Sequence, residues 1–287
     1  MKKTTLFIIG TLALVLLFTG CQRHYKKISF SAESLGEALQ DHITENTSVI
    51  GSREYNAPQS IPMYSISERV LSDDEYNLIL SALRVKEDDP AVYITRKGNS
   101  LLARLHQTDE KEKYSFSDEE TLKMATDVFD RLPVISDEYE CLGVKSYHTV
   151  SDSAGERIIS VGVSFRRLIE GIRVVGNDVI YLYFDNYGLS EVHIELYDYK
   201  KTNDKIDLKP FDSAYARVKS PDSFNLREEN ESIGEIDTLN VEKILLLMVN
   251  QYSNGCTVLQ PVYSFSGTAT DVKGECASFI SVIIAVD

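Results

Sequence analysis

The chain has 287 residues, with 30 Lys and Arg against 44 Asp and Glu, giving a formal charge of −14 at pH 7. A surplus of that sign repels nucleic-acid backbones and anionic headgroups, which argues against binding to a phosphate backbone. The length suffices for a substantial core and for two or three small domains.

The first residues, "MKKTTLFIIGTLALVLLFTGC", fall into three parts: a basic head at Lys2 and Lys3, an apolar core from Leu6 to Phe18, and small residues before Cys21. This is the layout of a secretory signal peptide over residues 1–20, too short and too abruptly ended for a comfortable membrane span. Phe18-Thr19-Gly20-Cys21 resembles a bacterial lipobox, with phenylalanine where leucine is usual. That resemblance implies that Cys21 becomes the mature N-terminus and carries lipid. Each buried methylene contributes about 0.8 kcal/mol, and two or more acyl chains hold durably. The expected location is therefore the extracytoplasmic face of the cell membrane, with the membrane itself as a partner through the N-terminal lipid. Without Lys2 and Lys3, 28 basic side chains face 44 acidic ones, and the balance becomes −16. No later run competes as an anchor, the longest comparable one being Ile244 to Val249.

Residues 21–58 read as a tether. A short helix fits Glu33 to Glu45, and "ENTSVIGSREYNAPQS" has linker composition. A first α+β unit is expected over 59–110, with a strand at Ile61–Ile66, a helix beginning at Ser72, and strands near Ala91–Thr95 and Leu101–Leu105. Ser72 and Glu75 form a capping box, each covering an orphan N–H of the helix start.

A second unit, 114–202, begins the same way, with Ser117 and Glu120 as another capping box and Leu122, Ala125, Val128 and Phe129 on one helical stripe. Ile159, Val161, Val163 and Phe165 then alternate with Ser160, Gly162 and Ser164. Further on, Val192, Ile194 and Leu196 alternate with Glu191, His193 and Glu195. Such alternation marks antiparallel strands with one packed face and one wet face. Val179 to Phe184, apolar throughout, reads as a central strand. Turns are expected at "SDSAG" and "DNYG".

The third unit, 206–287, repeats the order: a helix from Pro210 to about Val218, a long strand ending at Ile244–Val249, and a C-terminal hairpin. An acidic loop, "SPDSFNLREENESIGE", interrupts it. The expected fold class is therefore α+β, tandem units of a helix packed on an antiparallel β-meander.

"GIRVVGND", Gly171 to Asp178, has the glycine spacing of a phosphate-binding loop. A Walker loop would continue with Lys and Ser or Thr, whereas here Asn177 and Asp178 follow, and then a strand. No nucleotide is expected. Glycine and Asn-Asp between apolar strands is turn composition, so Gly171–Gly188 is read as a β-hairpin.

The run Phe165 to Glu195 resembles the sheet core of PepSY-type domains and of thermolysin-type propeptides. Gly171, Ile172, Val174, Gly176, Asp185 and Gly188 match the recurring pattern, with Arg173 in place of the usual proline. The capped helix at Ser117, the "LKPFDSAYARV" helix and the "LQPVYSF" strand resemble the same superfamily. A tandem of such units behind a membrane anchor is similar to the YycH/YycI-type regulators, which modulate a sensor kinase from outside the membrane. The resemblance, covering about residues 114–287, implies PepSY/YycI-like units and a regulatory rather than catalytic role.

Chemistry-bearing constellations are sparse. There is no H-E-x-x-H, and His24, His42, His106, His148 and His193 are scattered, with His148 and His193 expected on the solvent side of strands. No G-x-S-x-G elbow occurs, and "DNYG" is too short for a calcium loop. Besides Cys21 there are Cys141, Cys256 and Cys276. With Cys276 expected near Gly267 across the terminal hairpin, Cys256 lies some ten residues off, about 30 Å at strand rise. That is far beyond the Cα separation of about 7 Å that a disulfide spans. Small buried thiols are expected, and no metal or other cofactor. Arg166, Arg167, Tyr181, Tyr183 and Tyr197 form the candidate interaction surface, since tyrosine and arginine are favoured interface anchors. The resulting expectation is a non-catalytic lipoprotein that binds an envelope protein, with a small-ligand or wall-polymer binder as the alternative; a hydrolase ranks last.

Overall fold

The structure, a computed structural model, describes residues 42–286 apart from 106–113, 135, 153–154, 177, 220–223, 228–233 and 254–255. The expected signal peptide and lipid-bearing Cys21 lie outside the described residues. The chain divides into two compact units. One gathers the described residues up to Ile61 with Lys205–Leu246 and Gln260–Asp287; the other comprises Pro62–Asp204 and Leu247–Leu259.

The second of these units is built on the sheet order β3 (Tyr93–Lys97), β4 (Ser100–Arg104), β9 (Gly188–Glu195), β8 (Val179–Asp185), β6 (Gly155–Ile169) and β5 (Tyr139–Asp152). All of these neighbours are antiparallel. The alternation seen in the sequence sets the faces. Val161, Val163 and Phe165 of β6, Ile180, Leu182 and Phe184 of β8, and Val192 and Ile194 of β9 are buried together. As expected from its apolar composition, β8 is central, between β6 and β9.

Two helices cover that face. α1 (Asp73–Leu83) and α2 (Asp118–Phe129) start at Ser72 and Ser117, each with a complete capping box closed by Glu75 and Glu120. A capping residue of this kind contributes about 1 kcal/mol. Tyr76, Ile79, Leu80 and Leu83 recur at helical spacing and enter the core from α1; Ala125, Val128 and Phe129 do so from α2. The Phe129 ring lies flat on Phe165, centroids 4.1 Å apart and planes 4° from parallel. Both helices share one core with the sheet, so the stretches read as two consecutive units pack as one.

The other compact unit has the order β1 (Ile43–Gly51), β12 (Ile236–Ser253) as far as Leu246, β13 (Cys256–Asp271) from Gln260, β14 (Cys276–Ile284) and β11 (Phe224–Arg227); the stretch Leu247–Leu259 of β12 and β13 belongs to the unit just described. Its core is aromatic. Phe211 and Tyr215 of the short helix α3 (Phe211–Tyr215) pack with Tyr55, Tyr263 and Phe265 at centroid distances of 5.6 to 6.4 Å. The strands β2 (Ser60–Glu68) and β10 (Tyr197–Asp207) form a separate two-stranded ladder.

The fold class differs from the expectation. The protein is mostly β with a large mixed sheet, not a tandem of helix-on-meander α+β units. Three findings account for the difference. The expected Pro210–Val218 helix is five residues long, too short to cover a meander. The segment read as a linker contains β1, which runs parallel to β12 from Ile43↔Ile236 to Gly51↔Val241, so the end of the expected Glu33–Glu45 helix is strand; the start of that helix lies outside the described residues. β7 (Ile172–Gly176) also runs parallel to β12, at Leu247↔Arg173 to Asn250↔Gly176. Parallel partners far apart in sequence are what a chain of local meanders lacks. The acidic loop is interrupted as well, by β11 pairing with β14.

The Gly171–Gly188 segment also departs from a simple hairpin. The reversal lies one step earlier: Ile169 pairs with Ile172 across Glu170 (φ 49°) and Gly171 (φ 80°). Two consecutive left-handed residues make the tight turn that matches strand twist, and glycine relieves the second of them. Gly176-Asn177-Asp178 does not reverse the chain. β7 and β8 are both antiparallel to β6, with Leu168↔Arg173 followed by Arg166↔Val179, so the chain keeps one direction from β7 into β8. The "DNYG" turn is present, with Asp185 opposite Gly188. Strand, not helix, follows Gly176.

In the C-terminal hairpin, Gly267 faces Phe279 and Cys276 faces Thr270. Cys276 and Cys141 are free and exposed rather than buried; Cys276 opens β14 one step out of phase with the buried Ala277 and Phe279. The side chain of Cys256 lies outside the described residues.

Candidate functional site

Strand parity divides the five predicted surface residues between two faces of the sheet. Arg166, Tyr181 and Tyr183 fall on the face turned away from α1 and α2. There the Arg166 guanidinium donates to the Gly176 carbonyl at 2.5 Å and to the Tyr181 hydroxyl at 2.6 Å. Its charge lies 5.3 Å from the Tyr181 ring centre. Tyr181 stacks on Tyr183 (6.1 Å, 25°) and on His193 of β9 (6.3 Å, 17°), its cross-strand neighbour. Arg104 and Glu191 form an ion pair of 2.7 Å on the same face. His193 thus sits half-buried in a ring stack, and Ser164, expected to be wet, is buried. The side chain of His148 lies outside the described residues.

Arg167 and Tyr197 do not belong to that face. In β6, Arg167 follows Val163 and Phe165 at period two and enters the helix-covered side. Its guanidinium pairs with Glu138, from the 3-10 turn Ser136–Glu138, and lies 5.3 Å from the Tyr139 ring centre. Tyr197 is buried, its hydroxyl donating to Glu195 at 3.0 Å. Arg173, which stands where the resembling pattern has proline, makes a two-pronged ion pair with Glu140, at 2.8 and 2.7 Å. That geometry is the strong form of a carboxylate–guanidinium contact.

The helix-covered side carries a group that the sequence reading passed over. Asp178, the residue just before β8, is fully buried. One step beyond the pairs Arg166↔Val179 and Val179↔Glu195, it lies between Arg167 of β6 and Leu196, just past β9. Tyr139 pairs with Arg167 on the other side. A row of Tyr139, Arg167, Asp178 and Leu196 therefore crosses the sheet at one end of the apolar core.

The electrostatics of this row are unusual. Burial pushes the Asp178 carboxyl from about 3.8 up to about 7, against the opposing pull of the Tyr199 hydroxyl, the Arg167 charge, the Tyr197 N–H and the Tyr139 hydroxyl. None of these donors reaches either carboxylate oxygen with the length and angle of a full hydrogen bond, and the Nε of Arg167 is likewise buried without an acceptor. A buried acceptor and a buried donor thus stand side by side, both unsatisfied, where most interior polar groups are paired. Tyr139 is raised well above the usual phenol range by burial first and the nearby Asp178 second, so it remains a neutral donor. Behind it, burial works against the charge of Arg69, but the bond to Glu75 outweighs this and holds Arg69 firmly protonated. Glu75 falls to about 2, chiefly through the Ser72 N–H of its capping box and then through Arg69.

Among the described residues no group of three His, Cys, Asp or Glu side chains is placed to hold a metal ion, and no helix is long and apolar enough to cross a membrane. No protein-family model matches the chain, and comparison with curated proteins finds no match.

Proposed function

We infer that the chain is a non-catalytic, lipid-anchored protein of the extracytoplasmic membrane face, acting as an interaction or regulatory module for an envelope protein such as a sensor kinase or protease. The observation that carries this reading is the group of Arg166, Tyr181, Tyr183 and His193. These side chains sit half-buried on the sheet face opposite the two helices, outside the apolar core that the helices cover. Preorganised aromatic and guanidinium groups lose little rotamer freedom on docking, which is why they dominate binding energy at interfaces. The likeness of Phe165–Glu195 to PepSY-type and propeptide sheets points the same way. The layout of residues 1–21 supports anchoring through Cys21.

The test is capture of cross-linked partners from membranes by the full chain and by the Tyr183→Ala variant, with far-UV circular dichroism to check folding. The reading expects a discrete envelope protein that is captured by the native chain and lost from the variant. An identical set of captured proteins from both would refute it. Cys21→Ala should move the protein from the membrane to the soluble fraction.

A second reading, a binder of wall polymer, is favoured by one feature: Tyr181 stands between Tyr183 and His193, with planes 25° and 17° from its own, a ring cluster of the kind that sugar rings pack against. It predicts a higher melting temperature with purified wall glycan, by about 2.7 kcal/mol of added stability at a hundredfold excess over Kd.

A further inference from the structure

We propose that Arg167 is a proton-operated switch arm, pairing with Glu138 while Asp178 is neutral and with Asp178 once that carboxyl ionises, which releases the Ser136–Glu138 turn. This goes beyond the binding reading and does not depend on it.

The geometry supplies two acceptors of unequal standing for one guanidinium. Glu138 is held now, with its side chain about one-third exposed, while the Arg167 side chain is largely buried. Asp178 lies next to Arg167 in the same row, just before β8, fully buried and with neither carboxylate oxygen in a full hydrogen bond. The Nε of Arg167 is unspent and equally shut off from water. A neutral Asp178 asks little of its neighbours. An ionised one in the same place has no water to turn to, and an uncompensated buried charge is far costlier than a paired one. Glu138, by contrast, can be released into solvent at small cost, as partly exposed ion pairs contribute little.

The groups facing Asp178 favour this exchange over other outcomes. Tyr139 from β5 and Tyr199 from β10 offer neutral hydroxyls, and Tyr197 offers a backbone N–H. Arg69, beyond Tyr139, is committed to Glu75. Arg167 is therefore the one cation near the carboxylate with a spare buried donor among the described residues. The raised titration of Asp178, near 7, places the exchange close to neutral pH. Glu138 sits in the 3-10 turn between α2 and β5. Loss of its ion pair frees that turn, and with it the link between the helix layer and an edge strand of the sheet.

The test uses the full chain in detergent and backbone hydrogen exchange, corrected for intrinsic rates, over a peptide spanning Leu132–Glu140. In the native chain, protection should fall about tenfold between about pH 5.5 and about pH 8.5. Asp178→Asn should keep Arg167 on Glu138 and hold protection constant within about twofold across that range. Glu138→Gln, which weakens the competing acceptor, should lower the midpoint of the fall by about one pH unit. A native chain with pH-independent protection overturns the proposal, as does an Asp178→Asn variant that keeps the tenfold fall. If Asp178→Asn does not fold, the Glu138→Gln midpoint decides, and an unchanged midpoint overturns it.

Discussion

Asp178 can be tested by stability alone. Replacing it with asparagine keeps the shape and removes the charge. Burial lifts its titration from about 3.8 to about 7, and each unit corresponds to about 1.36 kcal/mol, so the whole shift amounts to about 4 kcal/mol. The folded state holds this proton more tightly than the unfolded state. The stabilisation is therefore complete below the unfolded value, near 3.8, and is lost as pH rises through the folded value, near 7. Between about pH 5 and pH 8 the change crosses about two units, or about 3 kcal/mol. Asparagine has no such slope, and its own buried amide costs about 1–3 kcal/mol at every pH. The stability difference between native protein and variant should therefore move by about 3 kcal/mol in favour of asparagine from pH 5 to pH 8. Urea unfolding followed by far-UV circular dichroism measures it, since the chain has no tryptophan to report on tertiary structure. Parallel pH profiles for the two proteins would show that Asp178 is not a buried, proton-holding group.

Other substitutions test the architecture. A Cβ at Gly267 would stand 1.9 Å from the Asn240 carbonyl oxygen and 2.9 Å from the Glu242 nitrogen; Gly267→Ala should cost more than about 3 kcal/mol or abolish folding, read as a collapsed melting temperature. Phe129→Ala and Phe165→Ala should each cost about 3–5 kcal/mol. The double variant should show about 1 kcal/mol of coupling in a denaturation cycle, from their stacked rings. Ser117→Ala breaks the α2 capping box and should lose about 1 kcal/mol, whereas Ser117→Asp should retain most of it.

What could be read in advance followed the range of the forces. Both capping boxes and both helix starts are written within four residues and appear as expected. The alternating strands β6 and β9 and the apolar β8 are equally local signals. β1 has linker composition because a single strongly buried side chain, Thr47, marks it, and its hydroxyl meets the Ile236 carbonyl 189 residues away. Gly176-Asn177-Asp178 has the same composition whether it reverses a chain or carries it onward; only the pairing of β6 distinguishes the two. The site was half legible. Grouping Arg166 with Arg167 ignored a parity already evident, since Arg167 continues the inward series of Val163 and Phe165. The same count places Asp178 in line with Ile180, Leu182 and Phe184, a signal masked by the habit of assigning aspartate to turns. That Asp178 would be left without a full partner depends on the reach of Tyr139, Tyr199 and Arg167, which no spacing reveals.

The pairing of β1 with β12 also orders events in time. A chain threaded outward from its N-terminus presents Ile43–Gly51 early, yet the strand that receives it, Ile236 onward, emerges nearly last. Everything from Pro62 to Asp204, with its helices and meander, can condense while β1 waits as an unclaimed edge. Long-range closure of this kind slows the final step and leaves sticky backbone open meanwhile. Folding in this order thus calls for some means of shielding a nascent strand during the interval, and a truncation that removed β12 would leave that exposure permanent.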